Sequence, residues 1–578
     1  MYKQVIKRFW KLITLNVVAG IVTALLSAFG IVYFQKILDL IAVHGAYSSL
    51  HAVLVALGVP VIIYALLMIS QCVIAYLDTY PETKLDFGIY LHFKLAAIRK
   101  VSRIDFSSYQ NYGTGQIMQL VENGAAAGKS ILFDFYIHIL KGLLPGALIS
   151  LVFLGSYNLE IMWIIAAGYI VVFVLTNFLL KYLYRIKNRV LVNEEWLSRK
   201  YVRALMEMVV FRINKRYARE IRLMDEKAGE IVSAKTQIKM IHELFFAVFH
   251  LIVIVIKIAI IILGVIQYSD SKTTVGTIVA MVALVENVYQ PIAIFNVLFV
   301  NYKLNKMAYN RFNNFLSQPD DLHLGNGKTI AVSSGCVEFH NVGFDYAGNV
   351  ILENVSFAMA GSKSTAFAGL TGAGKSTILK LITGLIKPVS GKMTVDGVDI
   401  STVNLNSYYD KLAYISQDAP VFDGTIRENL VFEENISDEK IFEVLKYMRL
   451  DEMIAGLDKG LDTEIGERGV KLSGGEKQRV ALARLFFQKS KIIILDEATS
   501  ALDYLTEEAV INKLVEHLKD RTLIIVTHRL QTLSAVDEIL VLENGALVQK
   551  GSYAQLSQQP GTFCDMLNKQ LVEEKVNL

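Results

Sequence analysis

Six stretches of about twenty mostly apolar residues, near 13–34, 51–76, 132–155, 161–182, 244–268 and 275–299, fill most of the first 300 positions. Each is long enough to cross a bilayer as a helix. Hydrocarbon offers no partner to a free N–H or C=O, so such runs are committed to helical structure. Composition agrees, with 53% hydrophobic and 19% charged residues, against roughly 25% charged in soluble domains. The apolar excess ends near Asn314–Gly335, and the remainder reads as a soluble α/β domain. The expected division is a transmembrane domain over 1–315, a linker over 316–334, a soluble domain over 335–565 and a tail over 566–578.

The links between apolar stretches alternate in length. Those after the first, third and fifth are short, and those after the second and fourth run to roughly 55–60 residues with helical patterning. The long links carry Lys84, Lys94, Arg99, Lys100, Arg103 and Lys129, then a denser set between Arg185 and Lys239, whereas the short ones hold little beyond Lys36 and Lys272. Basic residues mark the cytoplasmic side. The long links, the N-terminus and the soluble domain are therefore expected there, as two helical arms and a cytosolic domain. The first arm is expected to bend over Asp105–Gly115, including Asn111, Tyr112, Gly113 and Thr114, and the second to break near Glu207–Arg212. The opening MYKQVIKRFW mixes Lys3, Lys7 and Arg8 with Phe9 and Trp10, and predicts a short helix on the membrane surface rather than a cleaved leader. A net charge of +4 gives no case for nucleic acid as a partner. Cys72, Cys336 and Cys564 are too scattered to form a metal or disulfide pattern.

In the soluble part, Gly369-Leu370-Thr371-Gly372-Ala373-Gly374-Lys375-Ser376-Thr377 has the spacing of a P-loop. Its glycines let backbone N–H groups wrap phosphates, and a helix predicted over Thr377–Leu385 points its positive end at them. Lys375 suits the β- and γ-phosphate charge, and the Ser376 hydroxyl suits Mg²⁺. The run Lys491–Leu495 predicts a buried strand ending in Asp496 and Glu497, at the carboxyl edge where α/β sheets bind ligands. Asp496 is placed for the metal and Glu497 for polarising an attacking water.

Between these motifs, Leu472-Ser473-Gly474-Gly475-Glu476 opens a helix and resembles the LSGGQ signature of the ATP-binding cassette (ABC) family, with Glu476 where the family has Gln. Tyr346 looks like the aromatic that stacks on adenine, Gln417 like the Q-loop residue that senses Mg²⁺ and the γ-phosphate, Ser500–Asp503 like the D-loop, and His528 like the switch histidine. Thr463–Gly469, with Glu467 and Arg468, resembles the X-loop of exporter-type cassettes, and Pro420–Asn429 resembles their Q-loop tail. The resemblance covers nearly the whole chain. It implies an all-α six-helix transmembrane domain of the ABC exporter type, followed by an α/β P-loop NTPase domain with a helical subdomain. It implies ATP held by Tyr346, Gly369, Thr371, Gly372, Ala373, Gly374, Lys375, Ser376, Thr377 and Gln417, with Ser473, Gly474, Gly475 and Glu476 of a second copy closing over it. Mg²⁺ would be held by Ser376, Gln417 and Asp496, with Glu497 and His528 catalytic.

One P-loop, one signature and six helices are each half of what such a machine uses, so the implied partner is a second half-transporter, identical or related. The expected activity is ATP-driven export of an amphipathic drug, lipid or peptide across a bacterial cytoplasmic membrane. The alternative is an importer of metal–siderophore complexes built on the same fold. A non-transporting cassette ATPase is opposed by the apolar stretches, and a channel or sensor would pass current without stoichiometric ATP use. Glu243, His250 and Lys257 share a face of the fifth helix, and Lys257 and Glu286 are expected at similar depth, with His138 and Lys141 on the third helix. They form either a structural ion pair or a polar lining of the path. The resemblance, in which the fourth and fifth helices cross to the other half, would set Lys257 against Glu286 of the partner subunit.

Overall fold

The computed structural model describes residues 1–42, 50–110, 112, 114–270, 272–346, 348–432, 436–466, 469 and 471–577. Asn111 and Gly113 of the expected first bend, and Glu467 and Arg468 of the X-loop resemblance, lie outside these. The chain separates into two compact units, 1–102 with 112–318 and 103–111 with 319–578.

The first unit is helical. It contains α1 (Tyr2–Ala42), α2 (Leu50–Val101), α4 (Thr114–Lys129), α5 (Leu144–Tyr157), α6 (Leu159–Met206), α7 (Met208–Ile213), α8 (Tyr217–Ser269) and α9 (Val275–Leu316). The short α3 (Phe106–Gln110) belongs to the second unit. Among the described residues, the stretches Tyr2–Ala42, Ala56–Val101, Gly115–Tyr157 and Tyr217–Ser269 are long and apolar enough to cross a membrane, and shorter apolar stretches, Leu159–Gly168 and Val275–Tyr289, open α6 and α9. The expected surface helix at the N-terminus is not separate: its residues form the first turns of α1, because nothing in Tyr2–Trp10 breaks the helical run into the apolar stretch. The second arm breaks at the expected place, and the first is interrupted just ahead of its expected bend. α2 stops at Val101 before α3, and α6 stops at Met206, with Glu207 at φ −100° and ψ 28° outside helical geometry.

Packing in this unit follows small residues and aromatic anchors. Leu154, Ile165, Phe249, Ile256, Leu284 and Tyr289 join α5, α6, α8 and α9 in one buried cluster. α1 meets the third apolar helix closely at Gly20, where a Cβ would stand 2.1 Å from the Lys141 carbonyl oxygen. There the third helix is wound as π-helix over Ser130–Ile137 and Ile139–Leu143, the kind of local bulge that re-aims side chains inside a helix. Lys141 sits in it between Asp78 and Glu82, at 2.5 and 2.6 Å. Lys257 and Glu286 lie at one depth and pair within the chain, Lys257 Nζ standing 2.9 Å from Glu286 Oε2. The reason is that α8 and α9 pack directly, with Ile256 and Val285 buried in the same cluster.

The second unit is built on two sheets. β1 (Val337–Tyr346), β2 (Asn349–Met359), β4 (Ser390–Val395) and β5 (Val398–Asp399) form an antiparallel sheet in the order β2-β1-β4-β5. β3 (Ser364–Ala368), β6 (Leu412–Ile415), β7 (Ile492–Asp496), β8 (Thr522–Val526), β9 (Glu538–Glu543) and β10 (Ala546–Gly551) form the other, ordered β10-β9-β3-β8-β7-β6. Side chains alternate across a strand, and here both faces are apolar. On β7, Ile492 and Ile494 enter the core shared with the antiparallel sheet, while Ile493 and Leu495 enter the core under the helices. Each such fully buried side chain contributes roughly 1.5–3 kcal/mol. Helices α10 (Lys375–Ile382), α11 (Leu405–Tyr409), α12 (Ile426–Leu430), α13 (Asp438–Tyr447), α14 (Asp451–Ala455), α15 (Gly474–Ala483), α16 (Tyr504–His517), α17 (Tyr553–Gln558) and α18 (Thr562–Asn577) complete the unit. The P-loop helix α10 thus starts two residues earlier than the sequence suggested.

Candidate active site

β3 leads into Gly369–Thr377, β6 into Gln417, β7 ends on Asp496 and Glu497, and β8 leads into His528. β8 runs parallel to both β3 and β7, and β7 parallel to β6. All four connections therefore open on one edge of the sheet, the edge at which α/β proteins bind ligands.

The P-loop has the backbone its glycines foretell. Gly369, Gly372 and Gly374 take φ of +151°, +86° and +100°. At Gly369 a Cβ would also stand 2.3 Å from the Leu542 carbonyl oxygen, so the position admits only glycine. Lys375 is buried, and its ammonium donates to the carbonyls of Gly369 and Leu370 at 2.8 and 3.0 Å. Burial lowers its pKa, against the opposing pull of Glu497 and Asp496. A desolvated cation whose nearest acceptors are two carbonyls is ready to take an anion. Ala373 and Thr377 are buried beneath the loop, while Thr371, Gly372 and Ser376 face outward with Gln417.

Asp496 and Glu497 follow one another but point to different tasks. Burial raises the Asp496 carboxyl, and a 2.9 Å hydrogen bond from the Tyr414 hydroxyl works against that. Glu497 takes φ +53°, unusual for a residue with a side chain. Its N–H is anchored to the Val526 carbonyl at 2.9 Å, and its Oε1 lies 2.6 Å from His528 Nε2. Strained, anchored residues of this kind gather at functional sites.

Ser473 caps α15 in a reciprocal box with Glu476: Glu476 N–H donates to Ser473 Oγ at 3.3 Å, and Ser473 N–H donates to Glu476 Oε2 at 2.7 Å. Either Glu or Gln closes such a box. Gly475 lies close to the D-loop, a Cβ there standing 3.3 Å from the Ala501 carbonyl oxygen. Among the described residues, no hydrogen bond or ion pair joins Ser473–Glu476 to the P-loop. Tyr346, at the end of β1, is half-exposed and set edge-on to Phe344 at 4.9 Å.

Residues 352–500 match the ABC transporter family, and residues 13–292 match the ABC transporter transmembrane region. The chain belongs to the ABC transporter family. Its order, membrane region then cassette in one chain, is that of an exporter-type half-transporter. An ATP-dependent lipid A-core flippase of Burkholderia thailandensis is 35% identical over 310 residues, 53% of this chain. The chain thereby covers about half of that relative's length, 52%. An ATP-binding/permease protein of Staphylococcus aureus, whose name proposes multidrug export, is 28% identical over 97% of this chain and 98% of its own. The solved structure of a bacterial Atm1-family ABC exporter with ATP bound superposes with a TM-score of 0.83 at 24% identity, covering 98% of both chains, and so shares the fold.

Several residues of this ABC transporter chain that touch the site escaped the motif reading. Gln478 is buried, donates to the Gln417 carbonyl and to Ser500 Oγ at 3.2 Å each, and accepts from Ala501 N–H at 2.8 Å. It ties the signature helix to the Q-loop and the D-loop. Glu507 is buried and accepts from Thr499, Thr527 and Arg529 at 2.7, 3.1 and 2.7 Å, while Arg529 also donates to the Leu502 carbonyl at 2.7 Å. Thr499, just before the D-loop, and the loop bearing His528 are thus bonded to one carboxylate, and Arg529 links that loop to the D-loop carbonyl of Leu502. The X-loop and Q-loop tail also meet, Ile465 N–H donating to the Gly424 carbonyl at 3.0 Å.

Proposed function

We propose that this chain is one half of an ATP-driven exporter for an amphipathic substrate, working as a homodimer or with a related chain. The observation that carries the reading is the convergence of the P-loop, Gln417, Asp496, Glu497 and His528 on one edge of a parallel sheet. The donor set fits its ligands. A wrapped glycine loop with a buried lysine suits a polyphosphate. One carboxylate, Asp496, with the Ser376 hydroxyl and the Gln417 amide suits Mg²⁺, which keeps waters and shares substrate phosphates rather than needing a full protein cage. Among the described residues no cluster of three His, Cys, Asp or Glu forms such a cage.

Bound Mg²⁺–ATP would supply a γ-phosphoryl group whose charge is already partly neutralised. The chain supplies the rest. Lys375 and the loop N–H groups hold the phosphates, and Tyr346 offers its ring to the base. Glu497 would accept a proton from the attacking water and hold its orientation, and His528, paired through Nε2 with Glu497, would stand beside the γ-phosphate. Ser473, Gly474, Gly475 and Glu476 serve the partner's P-loop rather than their own. The basic long links support an N-terminus and cassette on the cytoplasmic side of a bacterial inner membrane. The names of the flippase and multidrug relatives support a lipid or drug as cargo.

Glu497→Gln in the full chain, reconstituted in lipid, tests the assignment. It is expected to bind ATP normally and lose about 10²–10⁴-fold in turnover, the range general-base removal gives. Hydrolysis within a few fold of the parent rules out Glu497 as the base.

A further inference from the structure

His528 is half-exposed and sits between the buried end of β8 and a turn over Leu530–Ala535. Among the described residues its ring is held by Glu497 alone, so its placement depends on the main chain beneath it. That main chain is gripped from α18. Phe563 and Leu567 on α18 are buried in the helical-side core, and Gln570 follows at seven residues from Phe563, on the same face. The Gln570 side chain makes two backbone hydrogen bonds. Its Nε2 donates to the His528 carbonyl, and its Oε1 accepts from the Leu530 N–H at 3.1 Å. A primary amide carries a donor and an acceptor in one plane. Gln570 therefore holds residues 528 and 530 as a neighbouring strand would, in a segment that β8 no longer pairs.

We propose that Gln570 is a positioning residue for hydrolysis: through the backbone of residues 528–530 it sets the approach of His528 Nε2 to Glu497 and to the γ-phosphate. The helix at the end of the chain is then part of the hydrolytic machinery. This rests on the reading of Glu497 and His528 as the hydrolytic pair. A displacement of about 1 Å at such a contact can cost on the order of 10²-fold in rate, so the loss of two backbone bonds has room to act on turnover.

The test uses the full chain in lipid nanodiscs with Gln570→Ala and Gln570→Glu, reading kcat, KM for ATP, the unfolding midpoint and the pH profile. Both variants are expected to lower kcat about tenfold, with KM and the unfolding midpoint close to the parent, because the group lost acts on placement rather than on nucleotide binding. Gln570→Glu keeps the acceptor for Leu530 but sets a charge against the His528 carbonyl. Its deficit relative to the parent is expected to shrink toward acidic pH, where the protonated carboxyl regains a donor. Parent-like kcat in both variants overturns the proposal. So does a fall in kcat that comes only with a raised KM and a lowered midpoint, which would make Gln570 a staple for α18. A parent chain without Glu497-dependent hydrolysis would sink the reading of the site itself, and this inference with it.

Discussion

Asp396 illustrates how much one side chain can organise. Its carboxylate accepts from the N–H groups of Ser333, Ser334, Gly335 and Cys336 and from the hydroxyls of Ser333 and Ser334, six bonds of 2.6–3.2 Å. It fastens the segment leading into β1 onto the turn between β4 and β5. Burial works to raise its pKa, but these bonds outweigh burial and bring the carboxyl down to about 2. A folded-state pKa below the unfolded one gives stability that is present above about pH 4 and is lost as pH falls toward 2. Discounted for its partial exposure, the contribution is about 1 kcal/mol. Asp396→Asn is expected to lower the unfolding midpoint of the cassette at pH 7, with the gap to the parent closing below about pH 4; thermal melts across that window check it. Nothing in the local sequence announces Asp396. The same holds for Tyr414, Gln478 and Gln570, whose partners lie 82, 61 and 42 positions away. Lys375, Asp496 and Glu497 could be picked out as candidates because a glycine loop and an apolar strand end mark them, and His528 because its motif resembles the family's switch. Residues that merely hold those four are chosen by the tertiary fold.

At the scale of elements, the helical arms were legible from charge and periodicity, and so were their breaks. The sequence did not reveal how the first arm divides. Residues 103–111 cluster with the cassette, and Phe106 of α3 packs against the core beneath the antiparallel sheet. The Asp105 N–H donates to the Pro319 carbonyl at 3.1 Å, and Asp321 N–H to the Arg103 carbonyl at 2.8 Å. Tyr112, one step beyond, belongs to the membrane unit and meets Phe315 of α9 edge-on at 5.6 Å. Phe106→Asp puts a charge where an aromatic ring packs. It is expected to leave ATP binding intact and basal hydrolysis within about threefold of the parent while abolishing its stimulation by substrate, since a coupling contact is lost and no phosphate contact is. ATPase assays with and without lipid or drug substrates decide this, and retained stimulation removes α3 from the coupling path. The second arm offers α7, whose Met208, Val209 and Val210 are exposed; changes there are expected to act in the same direction. Lys257 and Glu286 were legible as to depth because helical rise is constant. Their pairing within one chain was not, because it depends on how α8 and α9 pack.

For the whole molecule, the central claim is that one chain is half a machine. Along the second half of α2, Tyr80, Phe87, Leu91, Leu95 and Ile98 form an exposed apolar stripe at helical spacing. In the proposed dimer a second copy would cover part of such a stripe. Among the described residues the signature turn makes no bond to its own P-loop, as the proposed sharing of nucleotide sites between two chains requires. The fold class was legible because bilayer thickness and phosphate geometry leave few solutions. The pairing is a property of two surfaces, and one sequence specifies only one of them. The most direct measurement is ATPase activity of mixed dimers purified through two different affinity tags. One chain carries Lys375→Ala and the other Ser473→Arg. In the mixed assembly one site combines both lesions, while the other pairs an intact P-loop with an intact signature. Either variant alone is expected to fall to a few per cent of the parent or less, and the mixed dimer to recover at least about tenfold over both, as groups acting as one unit across chains require. A mixed dimer no more active than its parts, or a Ser473→Arg dimer with parent-like turnover, would contradict a site shared between two chains.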